Sequence, residues 1–162
     1  MSTNIRIEET KDLNAAIEVI KKYEDGKYIH FDSDDALASF AQKQLEFGHF
    51  LIAYVNDEPL AYMCFYSNDM ETKTAFITAT ALGGKGLIRG RVFMQLIRTA
   101  LVIGVHDGMT GLKVQVDKEN AHAIALYSKM GFDVSGDGND NSQYMVISKE
   151  ALEKAMHIKV EN

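Results

Sequence analysis

The stretch from Ala75 to Phe132 constrains the chain most, because its hydrophobic period changes several times around a glycine-rich turn. It reads as a strand, the turn Gly83-Gly84-Lys85-Gly86 with Gly90 close behind, and a helix. A second strand follows, with Leu112, Val114 and Val116 alternating, then a helix stopped by Gly131. A strand–helix–strand unit usually pairs its strands in parallel with a right-handed crossover. The stretch is also electrostatically one-sided. No Asp or Glu lies between Thr72 and His106, whereas Lys73, Lys85, Arg89, Arg91 and Arg98 all do. Formal net charge is -6, so this window carries +5 and the remainder -11 (-6 less 5). Cations at a turn that opens a helix suit an anion, because a helix start presents unpaired N–H groups and partial positive charge.

The rest of the chain supplies the frame. Ile5 and Ile7 alternate as a short strand. Leu13, Ala16, Ile17 and Ile20 recur at helical spacing, with Gly26 where that helix would end. Ser33 caps a second helix with Asp34 and Asp35 in its first turn and Leu37, Phe40, Ala41 and Leu45 on one face, stopping at Gly48. Strands Phe50 to Val55 and Leu60 to Tyr66 are joined by Asn56-Asp57-Glu58-Pro59, a hairpin signal. The polar loop Ser67 to Thr72 leads to a Thr-rich strand, Lys73 to Leu82. The turn spans Gly83 to Arg89, and a helix runs from Gly90 to Asp107. A further helix covers Asn120 to Met130. Phe132 to Ser135 and Ser142 to Ser148 close as a strand pair around the loop Gly136 to Asn141, and Ser148 caps a last helix carrying Leu152 and Met156. This order predicts a single α/β domain over 1–162 with a mixed sheet.

Composition narrows the function classes. With 162 residues, 46% hydrophobic and 25% charged, the chain suits one domain with its own core. A pI near 5.3 argues against a nucleic-acid surface. Cys64 is the only cysteine, so an intrachain disulfide is impossible. No apolar run approaches the ~18 residues of a membrane span, and Met1 to Arg6 lack a basic-then-apolar leader. The expectation is a soluble, cytoplasmic protein without membrane or nucleic-acid partners. His30, His49, His106, His122 and His157 lack metal-ligand spacing, and Asp137, Asn139 and Asn141 start a calcium-like loop whose required glycine is Ser142. No metal site is expected.

The glycine turn fails the familiar nucleotide patterns. A dinucleotide fingerprint needs Gly-x-Gly-x-x-Gly with an acid about 20 residues on, and here the third glycine is one place late. A phosphate loop needs Gly-Lys followed by Ser or Thr, and Gly86 stands there instead. Downstream, Asn120-Ala121-His122-Ala123-Ile124-Ala125-Leu126-Tyr127-Ser128-Lys129-Met130-Gly131-Phe132 carries the pattern Asn-x-x-Ala-x-x-Leu-Tyr-x-x-x-Gly-Phe. On this motif, following a strand, glycine turn, helix and strand, the chain resembles the GCN5-related N-acetyltransferase (GNAT) family. The resemblance covers Phe50 to Ser148 and fades in the first fifty residues.

That resemblance implies a mixed, mostly antiparallel twisted sheet flanked by helices on both faces, and acetyl-CoA as co-substrate. Transfer of the acetyl group to a primary amine, by direct attack in a ternary complex, is the implied activity. The family holds the acetyl-CoA pyrophosphate on a turn of pattern (Gln/Arg)-x-x-Gly-x-(Gly/Ala). Ungapped strand spacing puts Leu87 at the first position, Gly90 at the central glycine and Val92 at the final small residue, with Ile88, Arg89 and Arg91 between them. The alternative register slides the motif back to Gly84-Lys85-Gly86. The resemblance assigns oxyanion-binding amides around Thr80, Ala81 and Leu82, a cofactor contact to Asn120, and protonation of the departing CoA thiolate to Tyr127. Asn120 and Tyr127 are seven residues apart on one helix, so both face the same way about 10 Å apart. The glutamate that many members carry on the turn-leading strand is missing from Phe76-Ile77-Thr78-Ala79-Thr80. Water relayed by Thr78 or Thr80, or a group such as His30, Asp32 or Glu71, are the candidates for its role. The acceptor is a small-molecule or peptide amine, and a homodimer through open sheet edges is compatible with such a domain. The rival reading is a catalytically degenerate GNAT-fold domain that binds CoA or a protein partner in a regulatory role.

Overall fold

The structure is a computed structural model that describes residues 4–161. In chain order its elements are β1 (Ile5–Glu9), α1 (Leu13–Lys22), α2 (Asp34–Phe47), β2 (His49–Val55), β3 (Glu58–Tyr66) and β4 (Thr74–Leu82). They continue as α3 (Leu87–His106), β5 (Gly111–Asp117), α4 (Ala121–Met130), β6 (Asp133–Asp137), β7 (Ser142–Ser148) and α5 (Lys149–Met156). The described strands form one mixed, mostly antiparallel sheet in the order β1-β2-β3-β4-β5-β7-β6, flanked by the five helices. The β4–β5 pair is parallel, as the strand–helix–strand pattern predicts.

The chain divides into two compact units. One holds the described residues up to Tyr66 together with Ala79–Thr99, and the other holds Ser67–Thr78 and the residues from Ala100 onward. The division cuts through β4 and through α3.

In the first unit β1, β2 and β3 pair antiparallel. Asn56 and Asp57 make the β2–β3 turn with φ of 51° and 69°, the left-handed pair that suits the twist of a two-residue hairpin. The turn is therefore tighter than the four residues read from the sequence, and Pro59 lies inside β3. Alternate residues Phe50 and Ile52 of β2, with Tyr62 and Cys64 of β3, pack against Ala16, Val19 and Ile20 of α1 and Leu37 and Ala41 of α2. Both helices are capped on their starts, by Asp12 accepting from the Asn14 amide and by Ser33 accepting from the Ala36 amide. Helix α1 ends at Lys22, four residues before Gly26, because the Asp25 carboxylate gathers the next amides into a loop.

In the second unit β5 is central, parallel to β4 on one edge and antiparallel to β7 on the other. Gly111 opens β5 where a Cβ would sit 2.9 Å from the Ile147 carbonyl, so only glycine allows that approach. Leu112, Val114, Val116, Met145 and Ile147 are buried on one side of the β5–β7 pair, as their alternation requires. Ser148 caps α5 through the Ala151 amide.

Candidate functional site

The turn between β4 and α3 is fixed at its first residue and open at its last. Gly83 donates to the Leu60 carbonyl at 2.7 Å, and a Cβ there would meet that oxygen and the Tyr23 ring, each at 2.7 Å. Tyr23 is held in turn by its hydroxyl on the Pro59 carbonyl at 3.0 Å. Gly84 and Gly86 have φ of 81° and 60°, left-handed values that a side chain resists. A Cβ on Gly86 would meet nothing within 4 Å. The backbone at the helix mouth is therefore approachable.

Helix α3 starts at Leu87, three residues earlier than the sequence reading placed it. An α-helix leaves its first four N–H groups without intrahelical partners, here residues 86–89. Gly90 lies one step further in, where its amide reaches back toward the Gly86 carbonyl. Of the sequence-predicted residues, Leu87, Ile88 and Arg89 thus sit at the unpaired amides, while Gly90, Arg91 and Val92 lie within the helix. Val92 is fully buried and Arg91 is exposed. Leu87 is 89% exposed, unusual for leucine on a helix. No acidic side chain occupies the first turn. Arg89 is half-buried, and its Nε is shielded from solvent with no hydrogen-bond partner among the described residues. A buried donor of a permanent cation without an acceptor is costly.

Ala81 and Leu82 end β4. Ala81 is buried in the cluster with α1 and α2. The ladder between β4 and β5 covers Thr74 to Ile77 against Gly111 to Val114 and goes no further. Thr78 and Thr80, candidates for relaying a proton, are half-buried, and each has an interaction partner.

In the second unit Asn120 caps α4, its Oδ1 accepting from the Ala123 amide at 3.2 Å. The approach to the cap is braced by Asp117, whose carboxylate accepts from the Glu119 amide at 2.8 Å and whose carbonyl accepts from the Asn120 amide at 3.0 Å. Tyr127 lies about two turns further along α4 and is 4% exposed, more deeply buried than an amphipathic helix alone suggests. Its ring meets Phe132 edge-on at 5.1 Å. Gly131, with φ of 105°, ends α4 in a left-handed cap, and the Phe132 amide donates back to the Tyr127 carbonyl at 3.0 Å. The Leu-Tyr-x-x-x-Gly-Phe pattern is thus one local device: the glycine reverses the chain and lays the phenylalanine on the tyrosine.

The candidates for a base are dispersed. His30 sits 3.6 Å from both Glu24 and Asp32 in the α1–α2 connection, and Glu71 is exposed before β4. Among the described residues no group of three His, Cys, Asp or Glu side chains could hold a metal ion, and no helix is long and apolar enough to cross a membrane. Sequence reasoning missed the seat that Leu60 and Tyr23 provide for Gly83, because a contact across tens of residues leaves no local signal.

The sequence matches the profile described as Acetyltransferase (GNAT) family over residues 16–132. No curated protein matches it. Among solved structures, an acetyltransferase of the GNAT family from Streptococcus pneumoniae has 16% identity and a TM-score of 0.66, covering 90% of this chain and 99% of that one. The PaiA N-acetyltransferase from Thermoplasma acidophilum, solved in complex with coenzyme A, has 19% identity and a TM-score of 0.67, covering 91% and 99%. The yncA protein of Salmonella typhimurium, solved with its cofactor acetyl-CoA, has 18% identity and a TM-score of 0.66, covering 92% and 95%.

Proposed function

The chain belongs to the Acetyltransferase (GNAT) family, and from that premise we propose that it is an acetyl-CoA-dependent N-acetyltransferase acting on a primary amine by direct attack in a ternary complex. The observation that carries the reading is the turn Gly83 to Gly86, with left-handed glycines, open space at Gly86, and a following helix that starts with no acid. Such a turn suits a pyrophosphate, since unpaired amides and the helix dipole both favour anions. The amides of residues 86–89 and the Arg89 side chain are the proposed holders. That puts the central glycine of the motif at Gly86 and leaves Gly90, Arg91 and Val92 as the helix behind it.

Acetyl-CoA supplies the acyl group in thioester form. The amides of Ala81 and Leu82 are the proposed donors to the carbonyl oxygen as it gains charge, a contribution often large in acyl transfer. Tyr127 is the proposed donor of a proton to the departing sulfur, the role of a phenol as general acid to a thiolate. Asn120 is the proposed contact for the pantetheine arm, compatible with its cap because the cap uses Oδ1 and leaves the Nδ2 amide to donate. The lack of a carboxylate on β4 from Phe76 to Thr80 favours a second reading, in which the domain binds the cofactor without turnover.

Calorimetric titration of acetyl-CoA into wild type, Gly86→Glu and Gly90→Glu tests both reading and register. Micromolar binding that Gly86→Glu abolishes and Gly90→Glu only weakens is the expected result. The reverse pattern would restore Gly90 as the central glycine. Wild type that binds no acetyl-CoA would end the enzyme reading.

A further inference from the structure

The second unit's sheet has one face that no buried core residue occupies. In β5 the side chains of Leu112, Val114 and Val116 are buried, while Lys113, Gln115 and Asp117 on the other face are half-buried. Ala75 and Ile77 of β4, with Met145 and Ile147 of β7, join the buried side, so Thr74, Phe76, Thr78, Tyr144 and Val146 fall on the half-open one. Across the parallel ladder Phe76 stands opposite Lys113, and Tyr144 stands opposite Gln115, next along β5 on that face.

These positions put Lys113 against two aromatic rings that also meet each other. Its Nζ is 5.1 Å from the Phe76 centroid and 4.9 Å from the Tyr144 centroid, and the rings themselves lie 6.3 Å apart at 63°. Cation–π contact restrains an ammonium but does not neutralise it. Among the described residues no carboxylate comes within ion-pair distance of Nζ. Asp69 feels its charge, and its carboxyl is held below the ordinary value first by the Thr72 amide and side chain, with Lys113 a smaller cause. Asp69 Oδ1 accepts from the Glu71 and Thr72 amides at 3.1 and 3.0 Å, and the carboxylate makes no ion pair with the lysine. A positive charge framed by apolar rings, half out of water, attracts a carboxylate more strongly than a free surface lysine does.

We propose that Lys113, clasped by Phe76 and Tyr144, binds the carboxylate of the acceptor, so that the amine substrate is a free amino acid. The inference rests on the N-acetyltransferase reading. A simple cationic amine would be repelled by Lys113, whereas an amino acid brings its own counter-charge. The patch is placed for such a role along β4: Thr78 is on the same face two residues beyond Phe76, about 7 Å further along the strand. The β4–β5 ladder ends just there, at Ile77 and Val114. The two rings supply flat apolar walls for the rest of the molecule.

Two matched pairs test it with acetyl-CoA present: lysine against cadaverine, and phenylalanine against phenethylamine. In wild type the amino acid of a pair should have the higher kcat/KM, by about tenfold, the scale of one charge-assisted contact. Lys113→Met should erase that preference through KM, with kcat, acetyl-CoA affinity and melting temperature unchanged, and Lys113→Arg should keep part of it. No preference in wild type, or one that survives Lys113→Met, overturns the proposal. Binding is read separately from turnover by following amide chemical shifts as lysine or phenylalanine is added. Shifts centred on Lys113 and Tyr144 support the site even if no amine is acetylated, and their absence overturns it. Failure to bind acetyl-CoA or to turn over any amine counts instead against the acetyltransferase reading.

Discussion

One carboxylate organises the connection between α1 and α2. Asp25 Oδ1 accepts from the amides of Lys27, Tyr28 and Ile29 at 2.8, 2.9 and 2.8 Å. Its burial would raise the carboxyl pKa, yet these amides outweigh that and hold it below the ordinary value of 3.8. A depressed folded value means the stabilisation is complete above the unfolded pKa and is lost as pH falls through the folded one. Asp25→Ala should therefore cost roughly 1 kcal/mol at neutral pH, and thermal melts should show its gap from wild type closing as pH drops below about 4. Tyr127 is read through catalysis instead. Phenylalanine keeps the ring that meets Phe132 edge-on and removes the hydroxyl. Tyr127→Phe should lower kcat by about 100-fold or more while the acetyl-CoA Kd holds.

At the scale of elements, the capped helices were legible and α3 was not. Ser33, Asn120 and Ser148 each announce a helix because a short polar side chain before an apolar period has one common use, and each accepts the amide three residues on. The parallel β4–β5 pair followed from strand–helix–strand order. Helix α3 starts at Leu87 behind Gly86, which can offer no side-chain cap, and Gly90 in its first turn resembles a turn residue, so the sequence suggested a start too late. The two motif registers, centred on Gly90 and on Gly86, diverge at that start. Glycine substitutions separate the two positions. Gly90 has no left-handed φ and no neighbour within 4 Å of a would-be Cβ, so Gly90→Ala should stabilise by about 0.5–1 kcal/mol and leave acetyl-CoA binding intact. Gly86→Ala forces a side chain onto φ of 60° and should cost about 1 kcal/mol and weaken binding. Denaturant midpoints and titrations on the two variants read both quantities. The clasp of Lys113 had no sequence signal at all, because Phe76, Lys113 and Tyr144 meet only once the registers of three strands are set.

For the whole molecule, the way the chain is partitioned governs how it should unfold. Each unit is discontinuous in sequence: Ala79–Thr99 belongs with the N-terminal residues, although the chain on both sides of it belongs to the other unit. Of the three crossings only that at Tyr66–Ser67 falls in a loop; the other two fall inside β4 and inside α3, which is not how separable domains are joined. If one unit melted, the other would lose the anchor for half a strand and half a helix, and a partly melted helix or strand keeps little stability alone. A single cooperative domain is therefore the expectation, in keeping with 162 residues. Urea titrations followed by far-ultraviolet circular dichroism and by tyrosine fluorescence, which samples both units through Tyr62 and Tyr127, should superimpose. Calorimetric and van't Hoff enthalpies should agree. Two resolved transitions, with Tyr62→Phe changing the fluorescence of only one, would instead assign each unit its own stability.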